Sequence, residues 1–420
     1  MKRLTAVFIC FIFTITILSG CSFEKIEKQI NKAVNDFAEF SGLRGETVEF
    51  VIEESVKVEP AAIPTDTKNS HFCYNIINAE QKRIYRLILT ATQQMTDGFI
   101  ELGSCKQSYN TDIAVAYQAV ANDHPELFWM PYSYLINNKG NKKSPKILIA
   151  MSYKGNDHNC SWLISKSERD YMSELLESEV ADLIENAKGL SRYEAELYFH
   201  DEICYKTEYV TGDPKDLVYT AYGALVNGRA VCEGYSRAMQ LLCQRLGIPC
   251  TLISGESEGT GHLWNLINPG DGWYHLDVTW DDNDETNEPY RLYFNLTDEE
   301  IKNDRTIAPN LSQFSASDKL EGNYNLITDE CTNTTYNFFV YEGLILDKSY
   351  ANDVSAKIYQ ANLNGTKELT FRFENKSLNT KFEKNYQDYV TEIQKTLNRS
   401  SSKITITNIS FVKDTVTFYW

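Results

Sequence analysis

The sequence predicts an α+β protein in which a central helix packs on an antiparallel sheet, flanked by smaller α+β domains. Some segments repeat apolar residues at helical spacing, and others alternate apolar and polar residues as strands do. The chain has 420 residues, of which 42% are hydrophobic and 24% charged. That size and composition fit about two to four folded domains and exclude a disordered, coiled-coil or multi-span membrane protein.

The N-terminus resembles the signal segment of a bacterial lipoprotein. Lys2 and Arg3 precede an apolar stretch, 4–18, whose helix would rise only about 22 Å, too short for a stable membrane span. The sequence LSGC at 18–21 resembles the lipobox, whose cysteine accepts a diacylglyceryl group. We expect residues 1–20 to be a signal peptide and Cys21 to anchor the protein on the outer face of a bacterial cell membrane. In the alternative, an ordinary secretory signal, Cys21 is incidental.

The rest of the chain divides by pattern into four segments. They are an anchor-proximal helix and a linker with two prolines (21–69), an N-terminal α+β domain (70–165), a central domain (166–325) and a C-terminal α+β domain (326–420). Helical spacing predicts helices at 79–96, 111–122, 167–187 and 191–205. Alternation predicts strands at 98–102 and 146–153, and a terminal pair at 403–409 and 415–420 joined through 410–414.

Charge and cysteine content exclude several functions. The formal charge is −17, and loss of the leader with Lys2 and Arg3 makes it more negative, so the chain lacks the basic character of a nucleic-acid binder. The cysteine spacings match neither a small disulfide scaffold nor a paired CxxC zinc site, and the disulfide connectivity stays open. No nucleotide-binding glycine motif is present, so we expect no cofactor.

Cys232 is the candidate nucleophile. Apolar spacing predicts a helix that ends at Gly247 before Pro249 and begins near Cys232. Free N–H groups and the positive end of the helix dipole would stabilise a thiolate in the first turn. The alternative is a small buried cysteine of structural importance only.

His262 and Asp277 are the candidate partners. Strands at 262–268 and 273–280 flank the turn sequence PGDG, which predicts a hairpin. If all four turn residues form the loop, His262 and Asp277 lie diagonally on one face, within reach of a hydrogen bond. A cysteine, a histidine that carries its proton and a carboxylate that orients the histidine would form a catalytic triad.

Three stretches resemble the core of the transglutaminase-like superfamily, a branch of the papain-like cysteine enzymes. They are GRAVCEGYS at 228–236, HLWN at 262–265 and WYHLDVTWD at 273–281, and a weaker resemblance is DHPELF at 123–128. The resemblance implies a papain-like core over about 200–300, with Cys232, His262 and Asp277 at the catalytic positions. It also implies an acyl thioester that water resolves in a peptidase or amidase and an amine resolves in a transglutaminase.

Other polar residues have simpler interpretations. We expect His275 to pack in the core, His200 and Asp201 to cap or hydrogen-bond, and the acidic run 281–288 to be a solvated loop, since it lacks the EF-hand glycine and glutamate. The backbone N–H of Cys232 is the natural oxyanion donor, with Tyr209 or Tyr222 as possible second donors.

The sequence therefore favours a membrane-anchored, extracytoplasmic cysteine enzyme that cleaves a protein or peptide substrate, possibly a cell-wall peptide, with hydrolysis favoured over transfer. Two alternatives stay open. One is a binding or cell-wall scaffold lipoprotein with an inactive triad, and the other is an adhesin or glycan binder whose tyrosine-rich flanking domains carry the function.

Replacement of Cys21 tests the anchor. We expect Cys21→Ala to leave the protein unprocessed or to release it into the medium, because two acyl chains hold a protein at a membrane far more firmly than none. Membrane fractionation with leader-cleavage analysis is the measurement. A cleaved Cys21→Ala protein that still fractionates with membranes would disprove the lipoprotein prediction.

Overall fold

The computed structural model describes residues 55–420 apart from several gaps. The gaps are 67, 106–108, 132–133, 138–143, 150–163, 212–216, 284–287, 310–324, 328, 348–349 and 400–402. The described residues do not include the predicted signal peptide, Cys21 or the predicted anchor-proximal helix. The chain divides after Thr332 into two compact units. Among the described helices, none has the length and apolar character needed to cross a membrane. The domain boundaries drawn from sequence stay predictions.

The first unit begins with three helices and a small sheet. The helices are α1 (Phe72–Ile76), α2 (Ala79–Gln94) and α3 (Tyr109–Asp123). The strands are β1 (Ser55–Val56), β2 (Phe99–Glu101), β3 (Leu135–Asn137) and β4 (Lys146–Leu148), in the order β1-β2-β4-β3. Asn78 and Gln81 form a capping box that starts α2 where predicted. Strand β1 lies within the predicted linker, because Ser55 and Val56 pair with β2.

Four helices and a pair of short strands follow in the same unit. They are α4 (Lys166–Asn186), α5 (Arg192–Lys206), β5 (Glu208–Tyr209), α6 (Ala221–Leu225), β6 (Arg229–Ala230) and α7 (Cys232–Leu246). Capping boxes at Ser165 and Ser191 start α4 and α5, which confirms both predicted helices. Gly247 ends α7 in a left-handed conformation, as its sequence predicts.

A four-stranded antiparallel sheet supports α7. Its strands are β7 (Cys250–Ser257), β8 (Thr260–Ile267), β9 (Tyr274–Leu276) and β10 (Arg305–Ile307), in the order β10-β7-β8-β9. Leu266 pairs with His275, which is the predicted hairpin register. Gly234 lets α7 approach its neighbours, since a Cβ there would lie 2.7 Å from that of Ala230.

The second hairpin strand is shorter than predicted. It ends at Leu276, and the chain forms helix α8 (Val278–Asp281) where the alternation predicted a strand to 280. The N–H of Asp277 bonds to the carbonyl of Tyr293, on the side of β9 away from β8, and the N–H groups of Trp280 and Asp281 bond to the carbonyl of Asp277. These backbone bonds turn the chain away from the sheet. Helix α9 (Asp298–Ile301) follows before β10.

Side chains of α7 hold the end of α3. Arg237 donates to the carbonyl of Ala121, Gln240 to that of Asn122 and Gln244 to that of Asp123. The last carbonyls of a helix have no partner within it, so these bonds satisfy the C-terminus of α3. They also help to fix the orientation of α7.

The second unit, from Asn333 onward, is a separate α+β fold. Its helices are α10 (Phe338–Tyr341), α11 (Tyr350–Leu363), α12 (Lys376–Lys384) and α13 (Tyr386–Arg399). Its strands are β11 (Ile345–Leu346), β12 (Glu368–Phe373), β13 (Asn408–Val412) and β14 (Thr415–Tyr419), in the order β11-β12-β14-β13. The predicted second terminal strand is confirmed as β14, but its partner β13 covers Asn408–Val412 instead of 403–409. The predicted five-residue connection was wrong, because Val412 pairs with Thr415 across a two-residue turn with Lys413 at φ 53°.

Gly255 is a site at which one methyl group should disturb the sheet. A Cβ there would overlap the carbonyl of Thr306 and lie 2.8 Å from the Trp264 ring. We expect Gly255→Ala to lower the free energy of unfolding by about 1–3 kcal/mol, as overpacking does. Urea denaturation followed by tryptophan fluorescence is the measurement. Ser257→Ala on the same strand is the control and should change stability little; equal stability of both variants would contradict the packing.

Candidate active site

Cys232 is the first residue of α7, with its side chain partly exposed. Val231 precedes it as the N-cap and supplies no side-chain hydrogen bond to the helix. The first-turn N–H groups therefore lack the serine cap that starts α4 and α5. An uncapped helix N-terminus beside a thiol can stabilise negative charge.

His262 lies on β8 beside the thiol. Its side chain is buried, and its Nε2 is 2.7 Å from Oδ2 of Asp277. Burial lowers the pKa of His262, but the charge and hydrogen bond of Asp277 and a hydrogen bond with Cys232 outweigh burial and raise the pKa to about 9. Since Nε2 faces Asp277, Nδ1 is the ring nitrogen left for the thiol.

Asp277 lies directly after β9, where the chain leaves the sheet. Its carboxyl group is almost fully buried. Burial raises its pKa, but the positive charges of His262 and Arg305 together hold the pKa below its ordinary value. The structure thus brings together Cys232, His262 and Asp277, the three residues that the sequence selected.

Arg305 is a buried residue of the site that the sequence analysis missed. It is the first residue of β10, and its Nη2 lies 3.0 Å from Oδ2 of Asp277. Its guanidinium lies 4.5 Å from the ring centroids of both Trp280 and Tyr293. In the sequence, Arg305 lies after the three stretches that resemble the superfamily. Only its position at the start of a strand could have identified it as a residue of the site.

Trp264 connects His262 to a second histidine. Its ring stacks on that of His262 with centroids 5.7 Å apart, and its Nε1 donates to Nδ1 of His275 at 3.0 Å. His275 is buried, as expected from the sequence, and its Nε2 lies 2.9 Å from Oδ1 of Asp298. Burial lowers the pKa of His275 against the opposing effect of Asp298, so the ring is neutral and supports the indole.

One group of possible metal ligands occurs among the described residues. His275, Asp298 and Cys331 place one ligand atom each within 4.8 Å of the others. Because the Trp264 indole donates to Nδ1, the proton of the neutral ring lies on Nε2 and is donated to Asp298. The ring then has no lone pair for a metal, and burial raises the pKa of Cys331 to about 12, which disfavours a thiolate ligand.

Two tyrosines were considered as oxyanion donors, and they have different surroundings. Burial, followed by the charges of Cys232, Tyr219 and Asp277, raises the pKa of Tyr209, which places Tyr209 near the triad. For Tyr222 the causes are burial and Tyr171, and its ring packs 5.0 Å from that of Phe128. Of the two, Tyr209 is the neighbour of Cys232.

The other polar residues singled out from the sequence form hydrogen bonds within the folded chain. His200 is fully buried between two carboxylates, 2.8 Å from Asp201 and 3.3 Å from Asp281. Asp281 also accepts the N–H of Tyr293. The described part of the acidic run thus includes a buried hydrogen-bonding aspartate as well as exposed residues, so the prediction of a wholly solvated loop was wrong at Asp281.

A cavity of about 500 Å³ opens beside the site. Tyr209 lines it and also lies next to Cys232. Most of the other lining residues are polar or charged, among them Glu208, Asp282 and Glu288. Cys232, His262 and Asp277 do not line this cavity, and Tyr209 is the residue that relates it to the surroundings of the thiol.

Part of the chain is similar to known proteins. Residues 180–278 match the model of the transglutaminase-like superfamily. Similar solved structures include a TGase, at 15% identity and a TM-score of 0.25, with 37% of this chain and 45% of that chain covered. Another is a protein of Cytophaga hutchinsonii described as a candidate cysteine protease, at 14% identity and a TM-score of 0.22, with 36% and 62% covered. This chain thus spans less than two thirds of either. Among curated proteins none matches significantly.

Exposure alone predicts which thiol reacts first. Cys232 is partly exposed, whereas the other described free cysteines are buried. We expect iodoacetamide to alkylate Cys232 at least about tenfold faster than Cys73 or Cys331 in the native protein, and the difference to vanish in urea. Peptide mass spectrometry gives the rates. Equal native rates would show that the thiol is not accessible.

Proposed function

Because residues 180–278 form a transglutaminase-like domain, we propose that this chain is a cysteine enzyme acting on amide or peptide bonds. The observation that carries the proposal is the convergence of the first-turn thiol of α7, the imidazole of His262 and the carboxylate of Asp277. A thiol, a proton carrier and an orienting carboxylate are the groups that acyl transfer needs.

The reaction would begin with the thiol proton on His262. The Cys232 sulfur attacks the substrate carbonyl carbon, and the carbonyl π electrons move to oxygen. The backbone N–H of Cys232, with the Tyr209 hydroxyl as second donor, would stabilise that oxyanion. His262 then gives its proton to the leaving nitrogen, the C–N bond breaks, and an acyl thioester remains with a free amine.

Hydrolysis is the favoured second half-reaction. Water attacks the thioester carbon and gives a proton to His262, the C–S bond breaks, and the acid leaves with the sulfur as thiolate and the proton on His262, as at the start. An amine in place of water would give a new amide. The partial exposure of Cys232 supports the hydrolytic course, because water can reach a thioester formed on an exposed sulfur.

The proposed location follows from the leader rather than from the described residues. With Cys21 lipidated, the enzyme would act on the outer face of the cell membrane of a bacterium. Proteins or peptides there, including cell-wall peptides, are the proposed substrates. The acidic chain, at a formal charge of −17, suits such partners better than nucleic acid.

Variants of the triad test the proposed reaction. Cys232→Ala should abolish turnover of peptide amides while the fold persists, since the proposed thioester forms on the Cys232 sulfur. His262→Ala should lower kcat/KM by about 10²–10⁴, the usual contribution of a proton carrier, and Asp277→Asn should lower it less. Measurements on a peptide amide library by mass spectrometry, with circular dichroism of each variant, give the effect.

Two outcomes of this experiment would contradict the proposal. Turnover by Cys232→Ala equal to that of the native enzyme would require another nucleophile. Absence of turnover and of covalent labelling by peptide electrophiles in the native protein would favour the inactive scaffold instead.

A further inference from the structure

Arg305 bonds to the same oxygen of Asp277 as His262 does. Nη2 of Arg305 lies 3.0 Å and Nε2 of His262 lies 2.7 Å from Oδ2. The other oxygen, Oδ1, is buried and has no hydrogen-bond partner in the described part of the chain. A single carboxylate oxygen therefore serves two cationic groups.

We propose that Arg305 is a positioning residue of the triad: it holds the Asp277 carboxylate in place and limits how tightly that carboxylate retains the proton on His262. Rings confine the guanidinium from two directions, since Trp280 and Tyr293 both lie 4.5 Å from it. Asp304 accepts from Nη1 at 3.0 Å. With its side chain fully buried, Arg305 has one position, and so does the carboxylate it bonds.

The charged groups around His262 and Arg305 determine how the pKa of His262 should respond to a change of charge. Asp277 and Cys232 face His262, whereas Asp277, Asp304 and Tyr293 face Arg305. Farther out, Asp281 and Tyr209 respond to the charge of Asp277. Within the described residues, Arg305 is the only arginine or lysine that bonds to Asp277.

The sign of the effect follows from the charges. The carboxylate raises the pKa of His262, and the guanidinium partly neutralises that carboxylate and repels the imidazolium. Loss of the positive charge at 305 should raise the pKa of His262, whereas loss of the negative charge at 277 should lower it. If Arg305 only packed the core, its loss would loosen the site and let the pKa of His262 fall toward its ordinary value, the opposite of the increase expected here.

Titration of His262 by NMR in the full chain tests this role. The chain has six histidines, and Arg305 variants labelled with ¹⁵N-histidine would be compared with the native protein, with His262→Gln used to assign the resonance. We expect about a tenfold increase in the proton affinity of His262 in Arg305→Met, or about one pKa unit, and a decrease of at least that size in Asp277→Asn.

Two further variants separate charge from shape. Arg305→Gln keeps a donor near Oδ2 and lacks the charge, so it should raise the pKa as Arg305→Met does, and it serves if the methionine variant does not fold. Arg305→Lys keeps the charge and should titrate close to native. Arg291→Met is the matched control, because Arg291 is also largely buried and bonds to an aspartate, Asp201, away from the triad.

The results divide clearly. A higher pKa in the neutral variants, with native values in Arg305→Lys and Arg291→Met, supports the proposal. An unchanged or lower pKa in a folded neutral variant, or the same shift in Arg291→Met, overturns it. The role rests on the proposed triad, but the titration needs no turnover, so an inactive protein would refute the proposed function and leave this measurement intact.

Discussion

The buried charge of Asp277 is the constraint on which the site depends. A carboxylate without water is costly unless cations and hydrogen bonds compensate it, and here both compensating groups meet on one oxygen. Each cation comes from a different strand: β8 carries His262 and β10 carries Arg305. Since β7 lies between these two strands, the two cations reach the carboxylate from separate parts of the sheet.

Helix α7 must hold a fixed position on the sheet for the Cys232 thiol to reach the His262 imidazole. Gly234 permits close approach on one side, and Ser236 bonds to the carbonyl of Leu263 on β8. Arg237 and Gln240 bond to the end of α3 on another side. The N-terminal helices therefore contribute to the site without any residue in it, by limiting the rotation and shift of α7.

Sequence reasoning was strongest where local chemistry decides the structure. Apolar spacing located α4 and α5, whose starts the structure caps with Ser165 and Ser191, and the PGDG turn set the register that places His262 near Asp277. It failed at the end of β9, where the chain bonds to the segment around Tyr293 and forms α8 instead of continuing the alternating strand. Arg305 was missed for the same reason, since an arginine that starts a strand looks like a surface residue until its partner is known.

The state of His262 decides how a thiol site of this geometry would work. With a pKa of about 9, the imidazole holds its proton at neutral pH. In the proposed reaction, His262 is therefore an acid ready for the leaving amine when substrate arrives, rather than a base that must first remove a proton. If the proton affinity of His262 were too high, the imidazolium would give its proton to the leaving amine slowly. If the affinity were too low, the imidazole would not hold the proton until substrate arrives. A carboxylate shared between His262 and a fixed cation is a physical means of setting that affinity between the two extremes.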